Sequence, residues 1–335
     1  MRIPEEARRC VVFIGGLLPN GTFVPFGTAF LAAVPTAPSV GFKYLVTAKH
    51  VVRDIEDSKL PMALRVNLKA GGAAAGRFEP TWFSHPTIPD LDLLISPLDL
   101  DNNTFDAVHI QSDEYFLTDE FIAAHDIGAG DEVFVTGLLT RHFGRDRNIP
   151  IVRMGNIAAM PDEPIDLGEG HGSHELYLIE SRSIGGLSGS PVHLQVPLWR
   201  NYQGKITPMT GHPAILLLGM NIGLFETRAH ADRAPGELPP REAFLETMSA
   251  GIAVVIPAKR ILEALDHPDQ LQRRHDYMEK RKKRDTGFVP TSAGANFSAV
   301  TAIGVEPESD NPTHKEDFTR LLNAAARKRP QGDQT

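Results

Sequence analysis

The most informative stretch of this chain is SIGGLSGSPV, residues Ser183–Val192. Its central part, GGLSGS (185–190), places three glycines and two serines directly before a proline and an apolar run. A loop that only reverses the chain direction needs fewer glycines, whereas glycine permits positive φ angles and close approach of another backbone. The stretch therefore predicts a loop that presents a serine hydroxyl together with two backbone N–H groups.

Within this loop, Ser188 lies between Gly186 and Gly189. An activated serine nucleophile needs a base, a group that orients the base, and donors for the oxyanion. The N–H groups of Gly186 and Ser188 are the predicted oxyanion donors, and Gly189 is expected to leave room for substrate. Ser190 is a rival nucleophile, and a plain Gly/Ser hairpin loop is the alternative interpretation.

Two other segments supply a candidate base and a candidate acid. His50 follows the apolar run KYLVTA, and Asp90 and Asp92 open the strand-like run PDLDLLISPL. A carboxylate at the start of such a strand can reach a histidine Nδ1–H. Asp92 is preferred, because choosing Asp90 would bury a second negative charge beside the first. A capping or core role for His50 stays the alternative.

Composition narrows the class of protein. The chain has 335 residues, of which 41% are hydrophobic and 23% charged, as in soluble globular proteins. A formal charge of −8 argues against a nucleic-acid partner, and the single cysteine, Cys10, excludes an intramolecular disulfide. The N-terminus lacks the pattern of a signal peptide and no run reaches the ~20 apolar residues of a membrane span. A cytoplasmic protein without a membrane partner is expected.

Between about residues 10 and 260 the chain consists of short apolar runs separated by turn residues, which predicts an all-β fold. LPNGTF (Leu18–Phe23) predicts a hairpin with a tight two-residue turn. Long connections interrupt the pattern at about 101–127, 160–174, 196–213 and 226–249.

The character of the sequence changes after Pro257. PAKRILEALDHP predicts a short helix with Ile261, Leu262 and Leu265 on one face. Residues 267–335 are expected to form a charged, partly disordered extension, with a possible amphipathic helix over 316–329.

These segments together resemble the trypsin-like serine peptidase family. His50, Asp92 and Ser188 occur in the family's order, 42 and 96 residues apart. The resemblance is closest to the disulfide-free bacterial HtrA type and to the glutamyl-endopeptidase type, without a PDZ domain. Further similar blocks are GTAF (27–30), TAKHV (47–51), GDEVFVTG (130–137), RMGNI (153–157), LLGMNIG (217–223) and GIAVVIPAKRILEAL (251–265).

The resemblance implies two six-stranded antiparallel Greek-key barrels within a peptidase domain over 10–266. The first barrel would cover about 10–105 and the second about 127–257, with a closing helix over 257–266. It also implies a serine endopeptidase that hydrolyses a polypeptide substrate through a Ser-His-Asp triad and an acyl-enzyme, with no cofactor and no metal.

The resemblance also locates a substrate pocket. Arg182 would lie at the base of the S1 pocket and disfavour basic side chains, with Asn221, Ile222 and Gly223 at the pocket edge. Asn221 stands where glutamate-specific members carry a histidine, so a glutamate preference does not follow. Leu187 replaces the Asp or Asn of secreted members, which implies no activation through a newly cut N-terminus.

Two alternatives stay open. A non-catalytic or gated module with the same fold could bind peptides or a partner, with the long connections covering the cleft. The C-terminal tail could also act as an internal inhibitor.

His171 and His174 do not predict a metal site, because no third ligand is suitably spaced.

Overall fold

The computed structural model describes residues 3–37, 40–140, 142–167, 172–181, 186–202, 205–224 and 251–285. The chain divides into a unit over Met1–Ala299 and a second over Val300–Thr335, and all described residues fall in the first. Arg182, His171, the connection 226–249 and the predicted helix 316–329 lie outside the described residues.

The first half of the chain forms a seven-stranded sheet, called the first sheet below. Its strand order is β5-β4-β1-β2-β3-β6, and β7 pairs with β2 in parallel while the other pairs are antiparallel. The strands are β1 (Val11–Leu17), β2 (Phe23–Ala37), β3 (Val40–Thr47), β4 (Met62–Asn67), β5 (Ala73–Arg77), β6 (Leu94–Pro97) and β7 (Ile110–Gln111).

The second half contains a closed six-stranded antiparallel barrel with the strand order β12-β17-β16-β13-β8-β9. Its strands are β8 (Glu132–Gly137), β9 (Ile151–Ala159), β12 (Tyr177–Glu180), β13 (Ser190–Gln195), β16 (Ile215–Leu224) and β17 (Ile252–Pro257). Two hairpins stand apart from it, β10 (Ile165–Asp166) with β11 (Ser173–His174), and β14 (Trp199–Tyr202) with β15 (Lys205–Pro208). The mostly-β prediction and one closed barrel are thus confirmed, whereas closure of the first sheet stays a prediction.

Side-chain alternation explains why the barrel strands form where they do. Every second residue along a strand points to the same face, so one face can be wholly apolar. Val133 and Val135 on β8 share the barrel core with Val192 and Leu194 on β13. All four are buried, and the barrel interior is therefore filled by side chains.

The hairpin predicted from LPNGTF joins β1 to β2, but its turn is longer than two residues. The N–H of Leu18 donates to the carbonyl of Thr22, and the N–H of Gly21 donates to the carbonyl of Leu18. Gly21 has a φ of +83°. The hairpin predicted from the Asn-Gly pair is therefore confirmed, whereas the predicted two-residue turn is wrong.

The described helices are short except for the last one. They are α1 (Glu6–Arg9), α2 (Lys49–Ser58), α3 (Ser112–Tyr115), α4 (Asp119–His125), α5 (Ala258–Leu265) and α6 (Pro268–Asp285). Helix α5 matches the predicted closing helix and buries Ile261 and Leu265. Helix α6 occupies the first part of the stretch that was expected to be a charged extension; its buried Arg274 donates to the Tyr44 hydroxyl on β3 at 3.1 Å. Among the helices of the described ranges, none has the length and apolar character that crossing a membrane requires.

Candidate active site

His50 lies in the first turn of α2, directly after β3 ends at Thr47. The helix is anchored by Val51, Val52 and Ile55, which are buried against the first sheet. This packing leaves the His50 side chain 30% exposed. The histidine is therefore held by buried neighbours while its ring stays accessible.

Asp92 contacts His50 twice. Its Oδ2 lies 2.5 Å from His50 Nδ1, and its Oδ1 accepts the backbone N–H of His50 at 2.8 Å. One carboxylate thus fixes both the ring and the peptide group of the histidine. Because Nδ1 faces the carboxylate, the neutral ring carries its proton there and leaves the Nε2 lone pair free to accept a proton.

The charge of Asp92 decides the protonation of His50. Burial by itself would lower the pKa of His50, but the hydrogen bond and negative charge of Asp92 outweigh it, and the pKa is raised above the ordinary value. Asp54, one turn further along α2, adds negative charge in the same direction. Burial raises the pKa of Asp54 itself.

Asp90, the alternative acid, lies elsewhere. Its side chain is 53% exposed and its Oδ2 lies 3.5 Å from His174 Nε2. The structure therefore brings Asp92 to His50 and directs Asp90 toward the β10–β11 hairpin.

Backbone conformation and close packing explain why glycine occupies positions 186 and 189 of the Ser188 loop. Gly186 has a φ of +102° and Gly189 a φ of +82°, in the left-handed region that favours glycine. A Cβ on Gly189 would lie 2.1 Å from the carbonyl oxygen of Thr28. Gly189 was expected to leave room for substrate, but what its missing side chain permits is close contact between the loop and β2.

Three consecutive carbonyls of this loop are held by hydrogen bonds. The Thr28 hydroxyl donates to the Gly186 carbonyl at 2.7 Å, and the Thr28 N–H donates to the Ser188 carbonyl at 3.0 Å. Between them, Asn221 Nδ2 donates to the Leu187 carbonyl at 2.9 Å. Leu187 itself is buried in the barrel core, which fixes the loop on the barrel.

The segments that carry His50 and Ser188 meet at Gly27 on β2. A Cβ on Gly27 would lie 2.6 Å from Val51 Cγ1, the residue after His50, and 3.3 Å from the Ser188 carbonyl oxygen. Only a residue without a side chain allows both segments to pack there. The predicted triad residues, which are far apart in sequence, are thereby gathered in one region.

Ser190, the rival nucleophile, is fully buried. Its hydroxyl faces Gly137, where an added Cβ would lie 1.9 Å from Ser190 Oγ. Ser188 is half-buried. Of the two serines, Ser188 is thus the one that a substrate could reach.

The predicted pocket residues differ in their environments. Asn221 is 1% exposed, so its side chain supports the Ser188 loop from behind instead of lining an open surface. Ile222 is half-buried, and Gly223, with a φ of +139°, has open space where a Cβ would stand. In the part of the chain that the structure describes, no group of three or more His, Cys, Asp or Glu side chains could hold a metal ion.

Sequence reasoning missed three contributors to this region. Thr28 was quoted within GTAF without a role, and Asn221 was taken for a pocket residue. Asp54 could have been found, because it follows His50 by four residues and so lies on the same helix face.

No protein-family model matches the sequence, and no curated protein matches it. Among solved structures, the chain is similar to one described as "Crystal structure of Deg5", with 13% sequence identity and a TM-score of 0.40. That similarity covers 65% of this chain and 81% of the other.

Proposed function

We propose that this chain is a serine endopeptidase with Ser188 as nucleophile, His50 as general base and Asp92 as the orienting acid. The observation that carries the proposal is the double contact of Asp92 with the His50 ring and N–H, at 2.5 Å and 2.8 Å. A carboxylate in this position holds one tautomer and stabilises the imidazolium that forms when the histidine accepts a proton.

In the proposed reaction His50 Nε2 takes the hydroxyl proton of Ser188 as the oxygen attacks the scissile carbonyl carbon. The N–H groups of Gly186 and Ser188 stabilise the oxyanion. His50 then gives the proton to the leaving amine as the C–N bond breaks. Water, deprotonated by His50, attacks the acyl carbon; the bond to Ser188 Oγ then breaks, and His50 returns the proton to that oxygen as the second product leaves.

Strand β16 supplies a place for the substrate backbone. Ser190, the first residue of β13, pairs with Asn221, so Ile222 and Gly223 extend past the end of β13 on that side. An extended peptide can add to such an edge by backbone hydrogen bonds. This favours a polypeptide substrate over a small ester.

The test is labelling with a biotinylated fluorophosphonate followed by mapping of the modified residue by mass spectrometry. We expect labelling at Ser188 that disappears in the Ser188→Ala and His50→Ala variants. Labelling at another serine would reassign the nucleophile. No labelling of a well-folded protein would overturn the proposal and favour the peptide-binding alternative.

A further inference from the structure

The Ser188 loop is held by two side chains that come from different parts of the fold. Thr28 lies on β2 of the first sheet and Asn221 on β16 of the barrel. Both are buried, with exposures of 0% and 1%, so neither side chain is placed to touch a substrate.

Asn221 fixes the peptide group between Leu187 and Ser188. The Leu187 carbonyl accepts from Asn221 Nδ2 at 2.9 Å and from the Ser190 N–H at 3.0 Å. In a planar trans peptide the N–H points opposite to the C=O. With the carbonyl held toward Asn221 in the barrel interior, the Ser188 N–H points away from it, which an oxyanion donor requires.

Thr28 fixes the peptide groups on either side. Its hydroxyl accepts the Leu138 N–H at 2.9 Å, so its own hydrogen is directed to the Gly186 carbonyl at 2.7 Å. Its backbone N–H holds the Ser188 carbonyl at 3.0 Å. Thr28 is itself anchored, because its carbonyl accepts the Thr47 hydroxyl at 2.8 Å.

We infer that Thr28 and Asn221 form a carbonyl clamp, a pair of positioning residues that set the orientation of the peptide groups from Gly186 to Ser188. The inference rests on the proposed function, since the orientation matters for an oxyanion. It reassigns Asn221 from contacting the substrate to directing the Ser188 N–H. Within the described residues the Ser188 N–H donates to no other backbone group, so it is available for that role.

The test compares isosteric variants. Thr28→Val and Asn221→Leu each remove one donor of the clamp, whereas Thr28→Ser keeps the hydroxyl. Thr136→Val is the matched control, because the Thr136 hydroxyl is buried on β8, the strand paired with β13, and has no hydrogen-bond partner among the described residues. Fluorophosphonate labelling is measured against probe concentration, and amide hydrogen exchange of the segment 186–190 is measured by mass spectrometry.

For Thr28→Val and Asn221→Leu we expect the maximal labelling rate to fall ~10–100-fold, less than the ~10²–10³-fold of losing an oxyanion donor outright. The half-saturating probe concentration should change little. Exchange of the Gly189 and Ser190 amides should quicken, because the Gly189 N–H donates to the Asn221 carbonyl on β16 and the Ser190 N–H donates to the clamped Leu187 carbonyl. Thr28→Ser should retain most of the rate, and Thr136→Val should match the unmodified protein in both measurements.

The outcomes separate this inference from the proposed function. Unchanged exchange in both clamp variants would overturn the clamp, whatever the labelling shows. A raised half-saturating concentration with an unchanged maximal rate would also overturn it and return Asn221 to substrate binding. Absence of labelling in the unmodified protein would instead overturn the proposed function, and the exchange data would still decide whether the clamp holds the loop.

Discussion

The two halves of the candidate site are held by different forces. On the side of the first sheet, His50 is fixed by the charge of Asp92. On the side of the barrel, the Ser188 loop is fixed by neutral hydrogen bonds to its carbonyls and by close packing at Gly189. The first arrangement responds to pH and to loss of a charge, while the second responds to changes of shape.

The largest loss of activity should come from Asp92→Asn, which removes the negative charge beside His50. The asparagine amide keeps the size of the side chain but favours the wrong imidazole tautomer, so turnover should fall by roughly 10⁴-fold. Steady-state hydrolysis of an unfolded protein substrate measures this. Asp90→Asn is the matched control, since the exposed Asp90 contacts His174 and not His50. Equal losses in the two variants would show that Asp92 is not the triad acid.

Gly189→Ala should disturb the Ser188 loop, which is held by neutral hydrogen bonds and close packing. The new Cβ would lie 2.1 Å from the Thr28 carbonyl and 2.7 Å from Thr47 Oγ1, so the loop must move. A displacement near 1 Å can cost about 10²-fold in rate, which fluorophosphonate labelling would measure. Gly21→Ala is the control, because Gly21 has a φ of +83° with nothing within 4 Å of an added Cβ. Similar labelling rates in both variants would show that close packing of Gly189 against β2 does not hold Ser188 in place.

The pH dependence of labelling distinguishes the two halves of the site, because we expect it to depend on the His50–Asp92 pair and not on the hydrogen bonds of the Ser188 loop. A base with a raised pKa stays protonated, and therefore inactive, up to a higher pH. The rate should rise with pH through one inflection above the ordinary histidine value of about 6.5, losing about tenfold per pH unit below that inflection. The inflection should move down in Asp92→Asn and stay in place in Thr28→Val. An inflection below 6.5 in the unmodified protein would contradict the role of Asp92.

The last comparison concerns the free energy of unfolding, whose pH dependence has a source in the barrel that is separate from the candidate site. His193 on β13 is buried and stacks on Phe134, and burial lowers its pKa to about 4. A lowered folded-state pKa means that stability is lost as pH falls from about 6.5 to about 4, by about 1.4 kcal/mol per unit and about 3 kcal/mol in all.

His193→Phe should remove this part of the acid destabilisation. Urea unfolding at pH 7 and pH 4 measures it as the difference between variant and unmodified protein. His275→Gln is the control, because that side chain is 69% exposed. If His193→Phe and His275→Gln changed the acid destabilisation equally, burial of His193 would not be the cause.

Much of the fold was predictable because it depends on local pattern. Apolar runs with β-branched residues became β1, β2, β3, β6 and the barrel strands. The apolar face of PAKRILEALDHP became α5. Helix α6 lies in the stretch that was expected to form a charged, partly disordered extension, because its sequence is nearly all polar; it docks through the buried polar side chains Gln270 and Arg274. Hydrophobic periodicity carries no signal for such a helix.

The sequence by itself determined the residue types, their order and the need for glycine at 186 and 189. It favoured Ser188 and left Ser190 as a rival, because the burial of Ser190 depends on the pairing of β13 with β8, which brings its hydroxyl against Gly137. It could not show that Asn221 lies behind the loop, since the pairing of β16 with β13 brings together residues about thirty positions apart. The sequence gives the chemical groups and their local conformational needs. Which of these groups come into contact depends on strand register and packing, which are long-range properties of the folded protein.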